Sequence, residues 1–268
     1  MDLDFTFSKF RKLCDTISQS GYEILTIRKY LNSGDKPKRF IIIRHDIDED
    51  IALGLKMAEI EKEYDICSTY YIRMVNNVFN PNLIKRIAGM GHEIGYHYEV
   101  MDKAKGDKKK AIEIFKKELA MLREVCSVDT ICMHGNPRTP WDNKSIWNDH
   151  SFEDYDIIGE AYLSINFNGI LYLSDTGRNW GNKFKIKDVP NNLYGKDILE
   201  KISTTDDVIE LLKQNGVNHI YLSSHPWWTD SHGVWLKDLI WQHIKNVVKA
   251  ILVKRAYYGK NKEYSKTF

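Results

Sequence analysis

The sequence predicts an α/β barrel, and three observations carry that expectation. Short apolar runs alternate with helical patterns from about residue 38 onward, the arrangement of repeated βα units around a parallel sheet. The first run, Phe40 to Ile43, is continuous and rich in β-branched residues, as in a strand covered on both faces. A length of 268 residues lies near the upper limit for one hydrophobic core. No repeat, low-complexity tract or Pro/Gly/Ser-rich linker divides the chain, so 1–268 reads as a single domain.

Residues 1–37 read as a helical prelude. The strand at Phe40 stops at the polar cluster Arg44 to Asp50. A helix follows over 51–63, because Ile51, Leu55, Ala58 and Ile60 share one side. Tyr64-Asp65 breaks the pattern before a strand at Ile66 to Met74, and Pro81 opens the next helix at its favoured first turn. Gly89 and Gly91 end that helix, and His92 to Tyr98 reads as the third strand. Over 107–125, Ile112, Phe115, Leu119 and Leu122 point one way, and Lys108 to Lys110, Lys116 and Lys117 form a solvated face. Later strands are expected at Thr130 to Met133, Gly169 to Leu173 and His219 to Leu222. The closing segment, 234–268, holds a basic amphipathic helix and a tail. That helix either packs on the barrel or makes a peripheral membrane contact.

Composition narrows the function classes. With 43% hydrophobic and 28% charged residues, the chain is neither disordered nor fibrous. A net charge of +2 argues against a nucleic-acid partner. Cys14, Cys67, Cys126 and Cys132 show no C-x-x-C spacing and read as reduced, structural thiols. Asp2, Asp4 and Lys9 interrupt any secretory signal at the amino terminus, so the expected location is the cytoplasm. No uninterrupted apolar run approaches the roughly 18 residues needed to span a bilayer.

Four of these strands end in ionisable clusters: Arg44-His45-Asp46-Ile47-Asp48, His97-Tyr98-Glu99, His134 and His225. Parallel α/β folds bring the carboxyl ends of their strands to one rim, so these clusters should meet. The period of two places Asp46 and Asp48 on the same side. Two adjacent carboxylates repel unless a cation lies beside them, and Asp and His are the donors expected for zinc or a similar divalent ion. An ion of that kind with an open position activates water.

In these residues the sequence resembles the polysaccharide deacetylases of the NodB-homology, carbohydrate esterase family 4 type, in a branch with a His-Asp-x-Asp first motif. The resemblance rests on His45 to Asp48, Gly91-His92-Glu93-Ile94-Gly95-Tyr96-His97, Met133-His134-Gly135, Ser174 to Trp180 and Ser224-His225-Pro226-Trp227-Trp228. It implies an incomplete (β/α)7 barrel and metal-dependent hydrolysis of an N-acyl group, acetyl or formyl, on an amino sugar. By this resemblance Asp46 is the catalytic base, Asp48 and His97 are metal ligands, His225 is the general acid and Asp175 orients it.

The family's second metal histidine falls on Met101 here, a poor ligand for a borderline ion. His134 is the expected replacement, with Glu99 as the alternative. The arginine that fixes the base in the family is expected at Arg138 or Arg178. Trp180, Trp228 and Arg178 are the expected substrate contacts. A nucleotide- or lipid-linked amino sugar fits a cytoplasmic enzyme. Two other readings stay open: an amidohydrolase acting on a non-sugar amide, and an inactive sugar-binding barrel.

Overall fold

A computed structural model describes residues 3–136, 138–181, 190, 194–237, 240 and 241. The prelude is α1 (Phe7–Gln19), β1 (Glu23–Leu25) and α2 (Ile27–Asn32). The repeating units follow as β2 (Phe40–Ile47), α3 (Ile51–Glu63), β3 (Thr69–Arg73), α4 (Pro81–Gly89), β4 (Glu93–Tyr98), α5 (Val100–Lys103), α6 (Lys108–Arg123) and β5 (Thr130–Met133). The rest comprises β6 (Gly159–Glu160), β7 (Leu171–Ser174), α7 (Lys196–Leu199), α8 (Thr205–Gln214) and β8 (His219–Ser224).

Every strand pair is parallel, and the path across the sheet runs β6-β5-β4-β3-β2-β8-β7. Among the described residues β6 and β7 end that path without pairing to each other, which leaves the expected seven-stranded barrel incomplete. The prelude differs from its helical expectation: β1 adds an eighth strand, pairing with Phe40–Ile42 of β2 where β3 does not reach. Three residues are too few to show a period.

Local chemistry starts the expected helices α3 and α4, and also α8, where no helix is expected from the sequence. Asp50 caps α3 by accepting from the Ala52 amide, Asn80 caps α4 ahead of Pro81, and Thr204 and Asp207 form a capping box on α8. Ile41, Ile43, Ile220 and Leu222 turn outward beneath α1, α3 and α8, burying one apolar cluster with Phe10, Met57 and Leu212. The opposite wall buries Ile94, Tyr96 and Tyr98 of β4 against Phe115 of α6. Residues 232–237, 240 and 241 are helical, and most of the expected basic carboxyl-terminal helix, with Lys245, Lys249 and Lys254, lies outside the described residues. Among the described residues no helix is long and apolar enough to cross a membrane.

Candidate metal centre

Strand register decides which side chains share the barrel interior. Arg73 pairs with His97 and His97 with Cys132, so one row crosses β3, β4 and β5, and Asp48 leaves β2 at the same level. Two residues deeper lies the row of Asp46, Tyr71 and Gly95. Alternation sends His45 to the outer wall, where its Nε2 lies 2.8 Å from Glu61 of α3.

The most specific stretch of the sequence now has a physical reading. Gly91 turns at φ +98, a conformation that excludes most side chains. His92 and Glu93 brace the start of β4: His92 Nε2 lies 3.2 Å from the Ala58 carbonyl, and Glu93 accepts from the Arg28 amide and from the Thr69 hydroxyl. A Cβ on Gly95 would meet the Tyr71 ring at 2.3 Å, so the glycine makes room for that ring beneath the site. His97 then reaches the rim.

Three imidazoles converge on one carboxylate. His97 Nε2 lies 3.2 Å and His134 Nε2 3.8 Å from Asp48 Oδ1, and His225 Nε2 lies 3.9 Å from Asp48 Oδ2. The outward nitrogens of His97 and His225 are hydrogen-bonded, and that of His134 lies near a carboxylate without a hydrogen bond. His97 Nδ1 is 3.0 Å from the Cys132 carbonyl, His134 Nδ1 is 3.4 Å from Glu99, and His225 Nδ1 is 2.6 Å from Asp175. This is how a ligating imidazole is oriented by its outer partners. Burial would keep Asp48 protonated, but the charges of His134, His97 and His225 outweigh it and hold the carboxylate well below its usual range.

The residues present fit a divalent ion. Asp48 Oδ1 and Asp46 Oδ1 are buried without a hydrogen-bond partner, and the Nε2 atoms of His97 and His134 face Asp48 Oδ1. Of the expected ligands, His97 and His134 each lie near Asp48, while the donor groups set within 4.8 Å of one another are Asp46, His97 and Cys132, and Glu99, Asp102 and His134. Glu99, the alternative ligand, is occupied otherwise: its Oε2 accepts from Arg73 at 2.6 Å, its Oε1 lies 3.3 Å from Lys103, and it backs His134. His134 and Arg73 together depress its pKa to about 2 against the opposing pull of burial. Met101 lies in the core at the start of α5, its amide bonded to Asn143.

Asp175 is buried and fully engaged. Its Oδ2 accepts from Ser224 Oγ at 2.8 Å, from the His225 amide at 3.0 Å and from Trp227 Nε1 at 3.1 Å. Burial alone would discharge His225, but Asp175, with Asp48 and Asp46, pushes its pKa up to about 9.

Three expectations need correction. Trp180 and Trp228 are 0% exposed. The Trp180 indole donates to Thr205 and stacks on Phe5; that of Trp228 donates to Ser224 and packs between Phe5 and Phe10. Neither has a face left for substrate. The aromatic rings that line the cleft are Trp227, stacked 4.4 Å from His225, and Trp241. Third, the arginine on Asp46 is Arg44, not Arg138 or Arg178. Its guanidinium donates to Asp46 Oδ2 at 3.0 Å, to Tyr221 at 3.1 Å and also to Tyr162. Arg44 stands two residues before Asp46, and strand alternation was the signal that pairs them. Arg178, at φ +54, lines the cleft and places its guanidinium over the Phe5 and Trp235 rings.

The cleft measures about 370 Å³ and is bounded by Asp48, Asp50, Asn77, Arg178, His225 and Trp227 among others. No family model and no curated protein matches the chain. Among solved structures it is similar to a Mycobacterium smegmatis protein provisionally assigned as a polysaccharide deacetylase, at 12% identity and a TM-score of 0.42, over 78% of this chain and 85% of that one. It is also similar to Bacillus subtilis PdaA, a family 4 carbohydrate esterase, at 17% identity and a TM-score of 0.41, over 87% of this chain and 83% of that one.

Proposed function

We propose that this protein is a metal-dependent hydrolase that removes an acetyl or formyl group from the nitrogen of an amino sugar carried as a nucleotide- or lipid-linked precursor in the cytoplasm. One observation carries the reading: His97, His134 and His225 present Nε2 to the two oxygens of Asp48, with the other nitrogen of His97 on the Cys132 carbonyl and that of His225 on Asp175.

Asp48, His97 and His134 would hold the ion, most suitably zinc given one oxygen and two imidazole donors. When bound there, it supplies polarisation of the acyl carbonyl and a lowered pKa for water. Arg44 donates to Asp46 Oδ2 and fixes it, leaving Oδ1 to accept the proton of the attacking water. His225 enters the reaction charged, because Asp175 holds its Nδ1–H, and its Nε2–H is delivered to the departing amine. Trp227 stiffens this pair, its ring on the imidazole and its N–H on Asp175.

The test joins metal analysis to an acyl-release assay on N-acetylated and N-formylated sugar nucleotides, with simple amides as competitors. About one ion per chain is expected, with release from the sugars. His225→Ala should keep the ion and lose turnover by about 10²–10⁴-fold, whereas His97→Ala should lose both together. A His97→Ala protein with full metal content and rate defeats the ligand assignment.

A further inference from the structure

We infer that Cys132 lends a thiolate to the cation at the floor of this centre, beside His97 and Asp46. The inference rests on the reading above in one respect, that His97 is a ligand.

Position comes first. Cys132 pairs with His97 across β4 and β5, and neighbours in register on parallel strands send their side chains to the same face. Both therefore enter the barrel interior. Donor atoms of Asp46, His97 and Cys132 lie within 4.8 Å of one another, and all three residues are buried.

A second observation points to a ligand independently of the cysteine. Asp46 is 4% exposed, and its Oδ1 has no hydrogen-bond partner although Arg44 satisfies Oδ2. A buried carboxylate oxygen left unpaired is expensive, and a cation held beside it by Cys132 and His97 would offset that cost through its charge and the water it carries, leaving Oδ1 itself free as proton acceptor. The other close-set group, Glu99, Asp102 and His134, has no such vacancy in its carboxylates. Glu99 is taken by Arg73 and Lys103, and Asp102 by Thr139 and Asn143.

The chemistry is simple. As the sulfur–metal bond forms, the S–H bond breaks and its proton leaves to solvent, with no change of oxidation state. The thiol lies 3.6 Å from the Met133 carbonyl, a weak contact. A sulfur donor favours zinc, cobalt or cadmium over magnesium or calcium, so Cys132 would act as a selector of the ion.

The test is a titration of the metal-free full-length protein with cobalt(II), followed by absorption. The expected result is a sulfur-to-cobalt charge-transfer band in the near ultraviolet, together with the visible bands of the bound ion. The ultraviolet band should vanish in Cys132→Ser while the visible bands persist, and it should survive in Cys67→Ser and Cys126→Ser. Visible bands without the ultraviolet band in the unmodified protein overturn the thiolate and leave the metal centre standing. Failure to take up cobalt at all overturns both. The unmodified protein decides the matter even if Cys132→Ser does not fold.

Discussion

His225 shows how a single contact sets a protonation state. Folding raises its pKa from 6.5 to about 9, so the charged imidazole stabilises the folded chain. That contribution is complete below about 6.5 and is lost as the pH climbs through about 9. Metal-free protein should therefore melt at progressively lower temperature across this window. Asp175→Asn removes the main charge responsible and should flatten the decline; an unchanged pH profile in that variant refutes the assignment to Asp175. In the active enzyme the same substitution should shift the alkaline limit of turnover to lower pH. At this scale the sequence reveals which polar residues end the strands and hides what surrounds them. Trp180 and Trp228 look like rim residues beside their motifs, yet only the packing of Phe5 and Phe10, from the far amino terminus, shows that they are enclosed.

At the scale of elements, β4 depends on one missing side chain. Gly95→Ala would place a Cβ 2.3 Å from the Tyr71 ring and 3.0 Å from the Thr130 carbonyl, and neither buried strand can move away freely. Overpacking of this kind costs about 1–3 kcal/mol. Urea unfolding should show that loss in Gly95→Ala, and Tyr71→Leu in the same chain should recover part of it; two additive losses would mean that the glycine serves another purpose. Helices α3, α4 and α6 and the longer strands were readable because their caps and periods are local, whereas α5, α7 and α8 were not read. Helix α3 begins and ends where Asp50 and Tyr64 indicate, and β5 spans the expected Thr130–Met133. By contrast β1 and β6, of three and two residues, are defined by their partners β2 and β5, and nothing in so short a segment declares a partner.

Across the whole molecule, the barrel accepts a charged interior where an apolar one would be more stable. Arg44 is fully buried at the centre of the sheet, with the rings of Tyr71, Tyr162 and Tyr221 around its guanidinium and Asp46 as its ionic partner. Burying such a pair seldom improves stability over a well-packed hydrophobic substitute, whereas removing one member leaves a naked charge. Arg44→Met should accordingly destabilise the fold by about 3–5 kcal/mol. Replacing both, as Arg44→Met with Asp46→Leu, should restore most of that loss in urea unfolding, yet the double variant should remain inactive because it lacks the proton acceptor. A double variant as unstable as the single one would show that Arg44 matters through its tyrosine contacts instead. Recovery of stability without recovery of turnover would show that the pair is kept for chemistry, with the β2 register bringing Arg44, Asp46 and Asp48 to one inner face.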